Sequence, residues 1–242
     1  LVLDGIAQLS LRDEFVYHEM LAHVPLFAHP NPERVLVIGG GDGGTVREVL
    51  KHPEVGHVHL VEIDGQVIDA CREFLPQLAH SLDNPRVSVH VADGIEFMQQ
   101  QTDAFDVILV DSTDPLGPSE GLFTATFYAD AATALRADGV LAVQSESPFF
   151  TPQLVQDVYR AIGSCFPEVR LYMATVPIYS LAPWSFTLAS KRPQEAISFR
   201  EAPEEMHTKY YSPGIREACF CLPPYVRTLL TGQEAQAVSG GS

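Results

Sequence analysis

The chain has 242 residues, 46% of them hydrophobic, which is enough for one large domain with a sizeable core. Asp and Glu number 31 against 15 Lys and Arg, a formal net charge of −16, and a surface of that sign repels nucleic acid and anionic membrane. A cationic small molecule is the favoured partner class, with plain solubility as the alternative account of the charge.

The chain opens at Leu1, without a methionine and inside a strand-like run, so it is expected to be a piece whose beginning lies upstream. "LVLDGIAQLSL" reads as two short strands joined at Asp4-Gly5. In "RDEFVYHEMLAHVPLFAH", Phe15, Met20, Leu21 and Val24 recur at near-helical spacing, and Pro25 is expected to kink or end the helix. "HPNPE" is a loop.

Strands and helices then alternate. Strands are expected at 34–40, 57–64, 86–93, 105–112 and 139–146. Helices are expected at 43–52, 65–79, 94–101, 124–136 and 151–166, with "TDPLGPSEGLF" as a loop after the fourth of these strands. Two further strands, "EVRLYMATVP" and "WSFTLASK", have no helix between them and suit an antiparallel pair. Many strands are apolar runs without clean alternation, the pattern of a parallel sheet covered on both faces. In the tail, "PEEMHTKYY" and "PPYVRTLL" read as short helices, and the residues beyond Leu230 as a loose terminus.

No run approaches 18 apolar residues, so no spanning helix is expected. Cys71, Cys165, Cys219 and Cys221 show neither a disulfide framework nor paired metal-ligand spacing, which fits a reducing, cytoplasmic setting. Cys219-Phe-Cys221 reads as strand alternation or a small core cluster.

Ligands of open α/β sheets sit beyond the carboxyl ends of the strands, and the informative residues fall there. Gly39, Gly40, Gly41, Gly43 and Gly44 join the first sheet strand to its helix. Glu62 and Asp64 end the second strand, Asp93-Gly94 the third, and Asp111 and Asp114 the fourth. Glu62 lies 23 residues after Gly39, a spacing suited to gripping ribose hydroxyls.

"GGGDGG" lacks the Gly-Lys-Ser/Thr ending of a P-loop, and Asp42 would repel a pyrophosphate. A sulfonium nucleoside removes that conflict, because Asp42 could meet an ammonium. Helix capping is the other reading of Asp42. Asp111 and Asp114 suit either a metal or an amine whose proton they take, and they could also be turn caps. Amine binding is preferred, given the acidic composition and a loop without Lys or Arg. Tyr17, Tyr179 and Trp184 could line an aliphatic channel or belong to the core.

Together, "RDEFVYHEML", "HPNPERVLVIGGGDGGTVREVLKH", "FDVILVDSTDPLGP" and "KYYSPGIREACFCLPPYV" resemble the polyamine aminopropyltransferases over nearly the whole chain. The resemblance implies a Rossmann-like, methyltransferase-type α/β fold. Its sheet is seven-stranded and mostly parallel with a terminal antiparallel strand, preceded by a remnant of an N-terminal β-rich domain. Residues 1–12 would be that remnant, 13–230 the catalytic domain and 231–242 the tail.

The resemblance further implies aminopropyl transfer from decarboxylated S-adenosylmethionine to putrescine, giving spermidine and 5'-methylthioadenosine. The donor would be a co-substrate, with no metal or other cofactor, and the assembly a homodimer or homotetramer. Donor contacts would be His18, Gly39, Gly41, Asp42, Glu62, Asp93 and Gly94, with His18 standing where other members carry Gln. Tyr17 and Asp111 would orient and deprotonate the acceptor, and Asp114, Gln144, Tyr179 and Trp184 would line its groove. After Tyr179 the family commonly reads Pro-Ser-Gly, whereas this chain reads "YSLAPWSF", a change near the acceptor. A small-molecule methyltransferase, an NAD-dependent oxidoreductase and a non-catalytic binder of the same fold are the other readings. Asp42 weighs against the oxidoreductase.

Overall fold

The computed structural model describes residues 1–3, 5–115, 117–179, 182–192, 197–203 and 205–232. A two-stranded antiparallel sheet, β1 (Val2–Leu3) and β2 (Ile6–Ala7), precedes the main body. Seven strands follow: β3 (Arg34–Gly39), β4 (His57–Glu62), β5 (Val87–Val91), β6 (Phe105–Asp111), β7 (Leu135–Gln144), β8 (Glu168–Thr175) and β9 (Pro183–Ser190). They form one sheet in the order β5-β4-β3-β6-β7-β9-β8. Neighbours from β5 to β7 are parallel, while β9, the last strand among the described residues, runs against both β7 and β8. The order reverses between β3 and β6, and that is the point where such sheets open a crevice for ligand.

The strands alternate between two apolar cores. Val35, Val37, Val107, Leu109, Val140 and Ala142 face one cluster, and Leu36, Ile38, Ile108, Val110, Leu141 and Val143 face the other. Both faces are covered, so the strands read as continuous apolar runs. Helix α1 (Glu14–Ala28) packs on the first face and is buried at every residue except Phe15. On the second face lie α5 (Gly94–Gln99), α6 (Ala125–Ala134) and α7 (Pro152–Gly163), which contribute Met98, Phe127, Tyr128, Val158 and Ile162.

Two buried carboxylates tie distant segments together. Asp106 Oδ2 accepts the backbone N–H groups of Glu33 and Arg34 at 2.9 and 2.7 Å, and its Oδ1 accepts Arg136 Nη1 at 2.9 Å. Glu19 on α1 accepts the N–H groups of Lys209, Tyr210 and Tyr211, each at 2.8 Å, and so docks the C-terminal segment on the helix.

Several expectations are corrected. Pro25 does not end its helix: α1 runs through it to Ala28. The proline removes one backbone bond in the last turn, and burial of the whole helix outweighs that loss. The helix expected over 65–79 is two, α3 (Gly65–Phe74) and α4 (Pro76–Ala79), because Pro76 lacks the N–H that continuation needs. Residues 117–123 form a 3-10 helix instead of a loop.

No helix forms among the described residues of "PEEMHTKYY"; Glu19 captures three of its N–H groups. An unexpected helix, α8, spans Pro213–Cys219, with Ser212 Oγ capping Ile215 N at 3.2 Å. Cys219 is its last residue, so the CxC does not lie in a strand: Cys219 is buried and Cys221 exposed. The helix expected in "PPYVRTLL" is present as α9 (Pro224–Thr231). Residues 233–242, and Ser180 and Leu181 of the altered loop, lie outside the described residues. Among the described residues no helix is long and apolar enough to cross a membrane.

Replacing Glu19 by Ala strands three backbone donors. The expected cost is about 3 kcal/mol of unfolding free energy, read from urea denaturation. A loss below about 1 kcal/mol would show that something else docks residues 209–211.

Candidate active site

Two joined cavities open at the carboxyl ends of the strands. The larger, about 400 Å³, is lined by the glycine turn, Glu62, Asp64, Asp93, Gly94, Asp111 and the N-terminal hairpin. The smaller, about 300 Å³, is lined by Gln144, Glu146, Phe150, Ile178 and Trp184. Tyr17, Asp114 and Tyr179 line both and mark the junction.

Backbone geometry builds the larger cavity. At Gly39, with φ +79°, a Cβ would lie 2.1 Å from the Asp111 carbonyl oxygen, so only glycine lets β3 pass that close to β6. The next helix, α2 (Gly44–Val49), begins beneath His18: a Cβ on Gly44 would lie 2.2 Å from its ring. Asp42 Oδ1 accepts Gly44 N–H at 2.7 Å. Asp42 therefore steadies the turn that leads into α2 while also lining the cavity, although the N-cap position itself is Gly43. Glu62 accepts the N–H groups of Gly41 at 3.2 Å and Asp64 at 3.0 Å. Asp93 caps α5 through Ile95 N–H at 2.7 Å.

Asp111 is pinned at both oxygens. Tyr17 Oη donates to Oδ1 at 2.8 Å and Thr45 Oγ1 to Oδ2 at 2.6 Å. A carboxylate has about four lone-pair sites, so it still has capacity for a ligand proton. Burial, and then the Asp111 charge, push the Tyr17 phenol well above its ordinary value. Tyr17 is thus a hydrogen-bond donor at neutral pH rather than a base.

His18 faces Asp42 on the other side. Its Nε2 lies 3.5 Å from Asp42 Oδ1, and its Nδ1 lies 2.6 Å from Glu14 Oε2. A ring nitrogen of His18 and one oxygen each of Asp42 and Asp111 all fall within 4.8 Å of one another, a nest with room for one small cation. Burial raises Asp42, which makes a ligand of positive charge the natural occupant. A second cluster of this kind, His29, Asp106 and Asp138, lies elsewhere. There Asp106 is spent on Glu33, Arg34 and Arg136, and His29 Nδ1 accepts the Asn31 N–H, so the grouping is structural.

In the smaller cavity Tyr179 and Trp184 pack with ring centroids 4.5 Å apart. Tyr179 Oη donates to the Gln8 carbonyl at 2.7 Å, so this residue offers its ring rather than its hydroxyl. Gln144 Nε2 donates to the Ser112 carbonyl at 3.2 Å.

The structure thus brings every residue expected to contact donor or acceptor to one of the two cavities, while Gly43 and Gly44 of the turn lie outside both linings. It also adds Glu146, which sequence reasoning missed. Glu146 is 6% exposed, lines the smaller cavity and adopts a left-handed backbone, φ +66°. It stands two residues beyond Gln144, the last residue of β7, where strand alternation no longer applies.

Burial and the Asp114 carboxylate, to which it hydrogen-bonds, push Glu146 up to about 8. The native state keeps this proton above about 4.5, where the unfolded chain has lost it. Stability from this group is complete below about 4.5 and declines as pH rises to about 8. Glu146→Gln should flatten the fall in melting temperature across that window, measured without ligand; an unchanged slope would assign the fall to other groups.

Comparisons with known proteins agree with this architecture. The profile of the spermine/spermidine synthase domain matches residues 14–200. A polyamine aminopropyltransferase of Moorella thermoacetica is 50% identical over 238 residues, covering 98% of this chain and 83% of that protein. One from Bacillus subtilis is 49% identical over 230 residues, covering 95% and 83%. Among solved structures, spermidine synthase in complex with the transition-state analogue AdoDATO superposes with TM-score 0.90 at 43% identity, covering 95% of this chain and 80% of that one. Spermidine synthase from Thermotoga maritima gives TM-score 0.88 at 43% identity, covering 95% and 79%. The chain, with its glycine turn, its acidic strand tips and its seven-stranded sheet, belongs to the spermine/spermidine synthase family.

Proposed function

We infer that the protein transfers an aminopropyl group from decarboxylated S-adenosylmethionine to putrescine, releasing spermidine and 5'-methylthioadenosine. One observation carries the reading: Asp42 and Asp111 line a nucleoside-sized cavity, and Asp114 stands where that cavity joins a smaller one lined by aromatic rings. The glycine turn, Glu62, Asp93 and Gly94 would hold the nucleoside, and Asp42 with His18 the ammonium of its aminopropyl arm. The acceptor would lie along Tyr179 and Trp184, with its far ammonium at Asp114, Gln144 and Glu146.

The sulfonium makes its neighbouring methylene electrophilic and methylthioadenosine a good leaving group. The harder task falls on the acceptor, because an alkyl ammonium with a pKa of about 10.4 has no lone pair to attack with. Asp111 takes the proton, and the two hydrogen bonds that pin it aim the carboxylate at the junction. Alignment of nitrogen, carbon and sulfur for in-line displacement supplies the rest. The donor is consumed as co-substrate, so the scheme draws on no further cofactor. We take the protein to work in the cytoplasm as a homodimer or homotetramer, as its family resemblance implies. A methyltransferase would need no acidic lining for a dicationic acceptor, and the Asp114–Glu146 pair favours aminopropyl transfer over it.

Asp111→Asn should lower kcat by about 10²- to 10⁴-fold, followed by methylthioadenosine release. Turnover within about threefold of wild type would remove Asp111 from the chemistry. Intact S-adenosylmethionine carries an extra carboxylate, which Asp42 repels. Asp42→Asn should narrow the preference for the decarboxylated donor by about tenfold, about 1.4 kcal/mol, in direct binding. An unchanged ratio would place the selectivity elsewhere.

A further inference from the structure

His18 poses a problem of hydrogen-bond polarity. The ring is 3% exposed and held from behind. Its Nδ1 contacts Glu14 Oε2 at 2.6 Å, and Glu14 is itself gripped by Arg47, Nη1 to Oε1 at 3.0 Å and Nη2 to Oε2 at 2.9 Å. Arg47 is anchored in turn by Glu48, Nε to Oε1 at 2.7 Å. Glu14 accepts from Arg47 and has no proton to give, so Nδ1 must be the donor to it. That fixes the ring, and Nε2 then faces the Asp42 carboxylate, with Asp111 completing the nest.

A neutral ring would turn a lone pair toward two carboxylates, acceptor against acceptors. A protonated ring turns an N–H toward them and leaves every group in the nest with a partner of opposite polarity. The groups that face His18 are Glu14 on its own helix, Asp42 after β3 and Asp111 at the end of β6. Burial opposes the imidazolium, but these three outweigh burial and lift His18 to about 9. Burial likewise opposes the Glu14 charge, but the hydrogen bonds from His18 and Arg47 hold that carboxyl at about 2.

We propose that Glu14 is a positioning residue that keeps a proton on His18 Nε2 in the empty site, and that the donor's ammonium enters by displacing this proton to solvent. The inference rests on the aminopropyl-transfer reading and deepens it. On binding, the imidazolium gives up one proton, its Nε2 lone pair becomes an acceptor, and the ammonium keeps its three protons. The nest exchanges one cation for another, so its net charge is unchanged. Donor affinity becomes a function of pH through a side chain that never touches the reacting carbon, and the nucleoside moiety alone does not engage the device.

The test is calorimetric titration of the full chain, without acceptor, in buffers of different ionisation enthalpy near neutral pH. Decarboxylated S-adenosylmethionine should release about one proton per site, and its affinity should rise about tenfold per pH unit until about 9. Methylthioadenosine, which lacks the amine, should release about none and bind with a flat pH profile. His18→Gln should abolish the release while retaining donor binding. Glu14→Gln should move the end of the affinity rise to lower pH. Wild-type binding of both nucleosides without proton release would overturn the proposal and leave the proposed activity standing, as would equal release by both. Failure of both to bind would overturn the activity reading and the proposal with it.

Discussion

Like charges gathered in a poorly solvated cleft govern this molecule. Asp42, Asp111, Asp114 and Glu146 lie along two joined cavities. Carboxylates packed this way repel one another more strongly than they would in water. The fold tolerates them by fixed counter-measures. Tyr17 and Thr45 donate to Asp111, the Gly44 N–H donates to Asp42, and burial beside Asp114 pushes Glu146 up to about 8, so that it keeps its proton. What these leave uncompensated is a demand for positive charge, and a polycationic substrate meets it. Affinity, selectivity and response to pH therefore share one electrostatic origin.

Helix α1 joins this site to the rest of the structure. Tyr17 and His18 face the cavity, Met20 and Leu21 belong to the core, and Glu19 anchors the C-terminal segment. Further along, His23 Nε2 meets Glu48 Oε2 at 3.1 Å and its Nδ1 meets His52 Nε2 at 2.9 Å. The polar chain His52–His23–Glu48–Arg47–Glu14–His18 is thus continuous from the interior to the cavity. Its rigidity is inherited from the packing of α1 on the sheet rather than from any local propensity of the helix.

Much of this was legible in the chain itself, for identifiable reasons. Apolar runs bounded by glycines and acids marked the parallel strands, and the acids at their ends marked the crevice. The family resemblance supplied roles for Tyr17, His18 and Gln144 that spacing alone did not. Misreadings arose where distant contacts decide the outcome. Burial carries α1 through Pro25, and Glu19 draws residues 209–211 out of a helix. Glu14, Arg47 and Thr45 looked like ordinary helix residues, because only the crossing of α1 over α2 brings them to bear on His18 and Asp111. Glu146 escaped notice because a left-handed residue just past a strand leaves no periodic trace.

Trp184 is the only tryptophan in the chain. Its indole lies against Tyr179 in the wall of the smaller cavity, and its Nε1 is buried without a hydrogen-bond partner among the described residues. Indole emission depends on local polarity and on nearby charge. The molecule therefore carries its own optical gauge, one indole that can be excited selectively over the 8 tyrosines and that reports on the wall of this cavity.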